Sequence, residues 1–113
     1  MKNTEDLNKG LVEYENLEKQ LEVLLIQKHQ LQIQINEARH ALDELKKTSG
    51  PVYRMVGSIL LHTTKEAAQT DLGERLELSE VKLNAISKQE EKLRGTVMDA
   101  QKKLQEKMKE YGK

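Results

Sequence analysis

Apolar residues recur along the first part of this chain at alternating steps of three and four. One line of positions holds Leu7, Tyr14, Leu21, Lys28, Ile35 and Leu42. The other holds Gly10, Leu17, Leu24, Leu31, Ala38 and Leu45. Such a rhythm is the seam of a coiled coil, and it predicts a helix over 7–47. Counting Tyr and Ala, ten of the twelve positions are apolar, and Gly10 and Lys28 are the exceptions. Residues 1–6 are polar and expected to fray. The rhythm returns later, with Leu76, Leu83, Glu90, Val97, Leu104 and Tyr111 on one line and Leu72, Ser79, Ile86, Leu93, Ala100 and Lys107 on the other. It predicts a second helix over 64–111.

Between the two, charge almost vanishes. Val52 to Val56 and Ile59 to Thr63 are rich in β-branched and other apolar residues, and Gly57-Ser58 between them suits a two-residue turn. The stretch 52–63 is predicted to be a β-hairpin. Lys46 and Lys47 favour the end of the first helix, and Gly50-Pro51 should stop it. Thr63 with Glu66 three residues later fits a capping box opening the second helix. Val52, Val56, Leu60 and His62 alternate with Tyr53, Met55, Ile59 and Leu61, so both faces of the hairpin carry apolar groups. One face could pack on the helices. The other face and both edges stay open, and open strand edges template pairing with further chains. Assembly through strand pairing is therefore expected, rather than a lone packed hairpin.

Two helices of matching length joined by a hairpin should fold back on each other. The predicted fold is mainly α with a small β element: an antiparallel two-helix coiled coil, joined by one hairpin, in a single domain spanning 1–113. A helix of this length runs about 60 Å. Antiparallel pairing sets Leu45 near Leu72, Leu7 near Tyr111, and Lys28 within about a turn of Glu90. The last two either pair inside the seam, fixing register at a cost in stability, or each reach out to water.

Some apolar residues do not belong to the seam. Leu11, Val12, Met98 and Met108 cluster with Leu7, Leu104 and Tyr111 where the chain ends meet. Gly10 and Lys107 weaken the seam there, so the ends should splay and expose apolar side chains. Methionine suits adaptable contacts because it is flexible and polarizable. Val23, Leu25, Ile26 and Ile33 either widen the apolar stripe of the first helix or line a surface facing inward in an assembly.

Composition narrows the chemistry. Charged residues make up 34% of the 113, there is no Trp or Phe, and 19 basic residues balance 19 acidic ones. Long helices with a narrow seam suit this composition; a thick core does not. No basic footprint for nucleic acid is present. The absence of cysteine removes disulfides and thiol chemistry and fits a cytoplasmic location. No apolar run is long enough for a membrane span, and the first residues lack a signal-peptide core. His29, His40 and His62 have no partner ligand at helical spacing, so no metal is expected. Carboxylates alternate with Lys along helix faces, and no phosphate loop or nucleophile motif occurs. No cofactor and no enzymatic activity are expected.

The run Val52-Tyr53-Arg54-Met55-Val56-Gly57 into Ile59-Leu60-Leu61 resembles the hairpin of the β-type prefoldin subunits. Thr63-Thr64-Lys65-Glu66 is similar to the start of their second helix, and Leu83-Asn84-Ala85-Ile86 with Lys88-Gln89-Glu90 continues the likeness. Asn36-Glu37-Ala38 and Ala41-Leu42-Asp43-Glu44-Leu45 look familial in the first helix. The likeness covers about residues 14–110; the archaeal β subunit is nearest, the eukaryotic subunit six next. The chain departs from the family in a short connection before the hairpin and in an N-terminal segment carrying Lys2, Glu5, Asp6 and Lys9.

The resemblance implies a hexamer of two α-type and four β-type subunits, with the hairpins forming a barrel platform through Val52, Tyr53, Met55, Val56, Ile59, Leu60 and Leu61. It implies a chaperone that holds unfolded proteins without ATP at the coiled-coil ends, through Leu7, Leu11, Val12, Tyr14, Met98, Leu104, Met108 and Tyr111, and passes them to a group II chaperonin. A structural coiled-coil scaffold without client binding is the alternative. A transcript-cleavage factor would need acidic residues at the bend to hold Mg²⁺, where this chain has Val, Met, Ile and Leu.

Overall fold

The computed structural model describes residues 2–112. The order is helix α1 (Lys2–Lys47), strand β1 (Val52–Val56), strand β2 (Ile59–Thr63) and helix α2 (Lys65–Tyr111). Met1, at the head of the stretch expected to fray, lies outside the described residues. From Lys2 onward the chain is already helical, five residues ahead of the first seam leucine. Extending an existing helix needs no new nucleus, and Glu5 in the first turn complements the helix dipole.

Every predicted seam residue of α1, from Leu7 to Leu45, is half-buried or buried, whereas the residues between them are almost all exposed. The same holds along α2 from Leu72 to Leu104. Lys107 and Tyr111, the last two predicted seam residues, are exposed.

The chain divides into two compact units, Met1–Lys28 with Ala85–Lys113, and His29–Asn84. In the first, the helices are joined across the seam by Lys28 and Glu90, at 2.9 Å. In the second, Arg39 reaches Glu80 at 3.0 Å, and Ile35, only 4% exposed, is the most buried apolar residue. Both units are thin: a pair of helices removes one stripe of each from water and leaves the rest wet.

The hairpin belongs to the second unit. Val52 pairs with Thr63, Tyr53 with His62, Arg54 with Leu61, Met55 with Leu60 and Val56 with Ile59. Gly57, at φ 63°, and Ser58 make the turn. A positive φ at the first turn residue alone is the type II′ pattern, which favours glycine there. The register corrects the expected faces. Residues directly opposite share a face, so Tyr53, Met55, Leu60 and His62 lie together, and Val52, Arg54, Val56, Ile59, Leu61 and Thr63 lie on the other side. A two-residue turn exchanges odd for even across the hairpin, and simple alternation misses this. Both faces remain apolar.

The helix caps, though not the position at which α1 ends, differ from expectation. α1 stops at Lys47, before Gly50, which does not adopt a left-handed conformation. The Thr48 hydroxyl donates to the Glu44 carbonyl at 2.8 Å. The Lys65 ammonium then reaches back to the carbonyls of Lys46 and Thr48, at 3.3 Å each. Orphan carbonyls and the negative end of the dipole are thus satisfied by a cation from the opening of α2. The cap of α2 is Thr64, not Thr63: its hydroxyl accepts from the Ala67 amide at 3.0 Å. Thr63 is occupied in β2 opposite Val52, so the capping box with Glu66 does not form.

Candidate functional site

Two sets of exposed apolar residues were expected to carry function, one in each unit. The hairpin set is open to solvent on both faces. Met55 is 68% exposed, and Tyr53, Val56, Ile59, Leu60 and Leu61 are each about half exposed or more. Only Val52 and Thr63, at the base, are half-buried. The expectation that one face would pack on the helices is thus met only at that base. Edge-to-face contact between Tyr53 and His62, with centroids 5.5 Å apart, stiffens the hairpin across the strands. The pair flanking a two-residue turn exchanges backbone hydrogen bonds, and pairs alternate from there. Tyr53, Met55, Leu60 and His62 therefore direct their N–H and C=O groups to the outer edges. Unpaired edges and apolar faces coincide on one element.

Of the residues expected at the chain ends, Leu11, Val12, Met98, Met108 and Tyr111 are exposed. Leu7 and Tyr14 are half-buried in the seam. Leu104 departs from expectation: it is 8% exposed and buried against α1. The reason is Gly10. A Cβ at position 10 would lie 3.3 Å from Leu104 Cδ1, so the missing side chain is the space that Leu104 fills. Gly10 therefore closes the seam, which does not splay at this level. Val12 borders an open groove of about 560 Å³ shared with Asn8, Lys9, Glu13, Asn16 and Gln20.

The seam of the same unit holds the molecule's one buried charge cluster among the described residues. Glu90 is 8% exposed. Lys28 donates to its Oε1 and Arg94 to its Oε2, each at 2.9 Å. Those two hydrogen bonds, Lys28's foremost, hold the Glu90 carboxyl below the usual carboxylate range, against the opposing effect of desolvation. Of the two alternatives open for Lys28 and Glu90, the structure has the pair. Arg94, four residues on from Glu90, was not anticipated; its spacing was the available signal. A charged seam pair is poor evidence for stability and good evidence for register.

Val23, Leu25, Ile26 and Ile33 are exposed on α1, and Leu78 and Val81 on α2. Among the described residues no three His, Asp or Glu side chains converge as metal ligands, and no helix is long and apolar enough to cross a membrane. The surfaces on offer are open, apolar and set among charges. They can bind other polypeptide chains.

Comparison with known proteins points the same way. The sequence profile of a family described as prefoldin subunit matches residues 8–111. The prefoldin subunit beta of Pyrococcus furiosus is 36% identical over 97 residues, covering 84% of this chain and 83% of that protein. The prefoldin subunit beta of Sulfurisphaera tokodaii is 34% identical over 108 residues, covering 94% and 86%. The crystal structure of the prefoldin beta subunit from Thermococcus strain KS-1 superposes with a TM-score of 0.80 at 33% identity, covering 89% of this chain and 90% of that one.

Proposed function

The chain belongs to the prefoldin subunit family, and on that premise we propose that it is a β-type subunit of an ATP-independent chaperone. It assembles through the hairpin with α-type subunits and further β-type copies, two α and four β in all. It holds unfolded proteins through apolar side chains near the chain ends and hands them to a group II chaperonin. Its chemistry is non-covalent throughout. Its place of work is the cytoplasm.

The observation that carries this reading is the coincidence, on β1 and β2, of solvent-exposed Tyr53, Met55, Ile59, Leu60 and Leu61 with unpaired strand edges. A two-stranded hairpin is marginal alone, and this one has little packed against it. Further strands supply both the missing hydrogen bonds and the missing burial. In the chain-end unit, Leu11, Val12, Met98 and Met108 present apolar groups from well-formed helices. Several such weak sites on one particle hold a client by avidity.

The test separates the two surfaces. Replacing Leu11, Val12, Met98 and Met108 together by Ser is expected to leave the mass of the assembled particle unchanged in native mass spectrometry. Suppression of aggregation of a denatured client should be lost. Undiminished suppression moves the client site elsewhere, and a scaffold without client binding predicts no suppression by either protein.

A further inference from the structure

The chain-end unit carries one flank on which apolar groups and unpaired negative charge run together. Leu11, Glu15, Glu18, Glu22 and Leu25 follow one another at steps of four, three, four and three, which aligns them along one side of α1. All five are exposed. Glu15, Glu18, Glu22 and Leu25 line a shallow groove of about 430 Å³ together with Lys19 and Leu21. Among the described residues none of these three carboxylates is in an ion pair, and neither is Lys19. The register that sets Lys28 against Glu90 brings Arg94 to the same flank, but its guanidinium is already held by Glu90 at 2.9 Å. The Tyr14 phenol has its pKa raised, by burial first and then by the nearby Glu18 carboxylate. The line is therefore negative along its middle and apolar at both ends. The opposite flank of α1 carries Glu13, Gln20 and Gln27 and has no such bias.

We propose that this flank selects among nonnative chains, taking segments in which Lys or Arg alternates with large apolar side chains. The inference rests on the client-holding reading above and names the clients that reading leaves open. Leu11 and Leu25 are separated by about 21 Å of helix. An extended segment of about six residues spans that distance, its successive side chains leaving on opposite sides: the apolar ones go to the row beside the seam, over Leu11 and Leu25, and the cations to the outer row, over Glu15 and Glu22, with Glu18 between. Antiparallel register places Met108 opposite Leu11, where a flexible thioether adapts to whatever apolar group arrives. The carboxylates are in water before binding, so pairing them costs little desolvation, and their effect is selection more than tightness.

Fluorescence anisotropy on the 113-residue chain, with three labelled peptides of alternating Leu and Lys, Leu and Gln, or Leu and Glu, tests this. The Leu–Lys peptide is expected to bind on the order of tenfold tighter than the Leu–Glu peptide at low salt, each exposed ion pair contributing a factor of about two. The difference should collapse at about 0.5 M salt. The triple variant Glu15→Gln/Glu18→Gln/Glu22→Gln should bring the ratio within about twofold and leave the Leu–Gln peptide unaffected, whereas Glu13→Gln should leave the ratio in place. Equal binding of all three peptides by the natural chain overturns the proposal, as does a triple variant that keeps the full preference. Failure of every peptide to bind also overturns the proposal for this flank, whereas the client-holding reading, which relies on several weak sites acting together, stands or falls on the aggregation assay above.

Discussion

The hairpin unit and the chain-end unit both leave apolar side chains in water, but on different backbones. In the hairpin, Met55 and Leu60 sit on strands whose outer edges have unpaired N–H and C=O groups. A partner must match those groups in direction and spacing, so the surface fits one kind of structure, another strand. In the chain-end unit, Leu11, Val12, Met98 and Met108 project from α-helices whose backbone hydrogen bonds are complete. Nothing there dictates a partner's backbone geometry. Exposed apolar area does not by itself distinguish a surface that fits one backbone geometry from one that accepts many. The state of the backbone beneath it does.

The largest effect is expected at the hairpin. Val56→Lys with Leu60→Lys puts a charge on each face, and the assembled particle should disappear from native mass spectra. A particle of unchanged mass would remove the hairpin from assembly and erase the contrast.

Next in size are the two seams. Ile35→Ala in the hairpin unit and Leu104→Ala in the chain-end unit each delete a buried side chain, and each should cost about 2–4 kcal/mol in denaturant unfolding. Gly10→Leu should act like Leu104→Ala, because the new side chain takes the space Leu104 occupies.

Acid should distinguish the units more gently. Lys28 and Arg94 depress the Glu90 pKa in the folded chain, so the stabilisation they provide is present above the ordinary carboxylate value. It is lost as pH falls through the lowered one. Thermal melts from pH 7 to pH 3 should show a larger acid loss for the natural chain than for Glu90→Gln. The double variant Lys28→Met/Glu90→Leu should melt no lower than the natural chain at pH 7, although its register is less well specified. The smallest effect belongs to Gly73→Ala, in the hairpin unit, where an added Cβ meets nothing within 4 Å. It should stabilise by about 0.5–1 kcal/mol through helix propensity and the unfolded chain.

Heptad spacing alone determined which residues form the seam, from Leu7 to Leu45 and from Leu72 to Leu104. Gly57-Ser58 and its flanking apolar runs determined the hairpin, and two helices of matching length determined that the chain folds back. These are short-range patterns, and neighbouring residues carry them whatever surrounds them. The family likeness also lies in such patterns. Only the tertiary structure decided that Thr64 rather than Thr63 caps α2, since strand pairing claims Thr63. It also decided that Lys65 closes the end of α1, that Leu104 fills the gap over Gly10, and that Lys28, Glu90 and Arg94 form one cluster. Each of these depends on a distance of a few ångströms, and for most of them the groups lie far apart in the chain. A one-residue change of register would move such distances by more than a hydrogen bond tolerates.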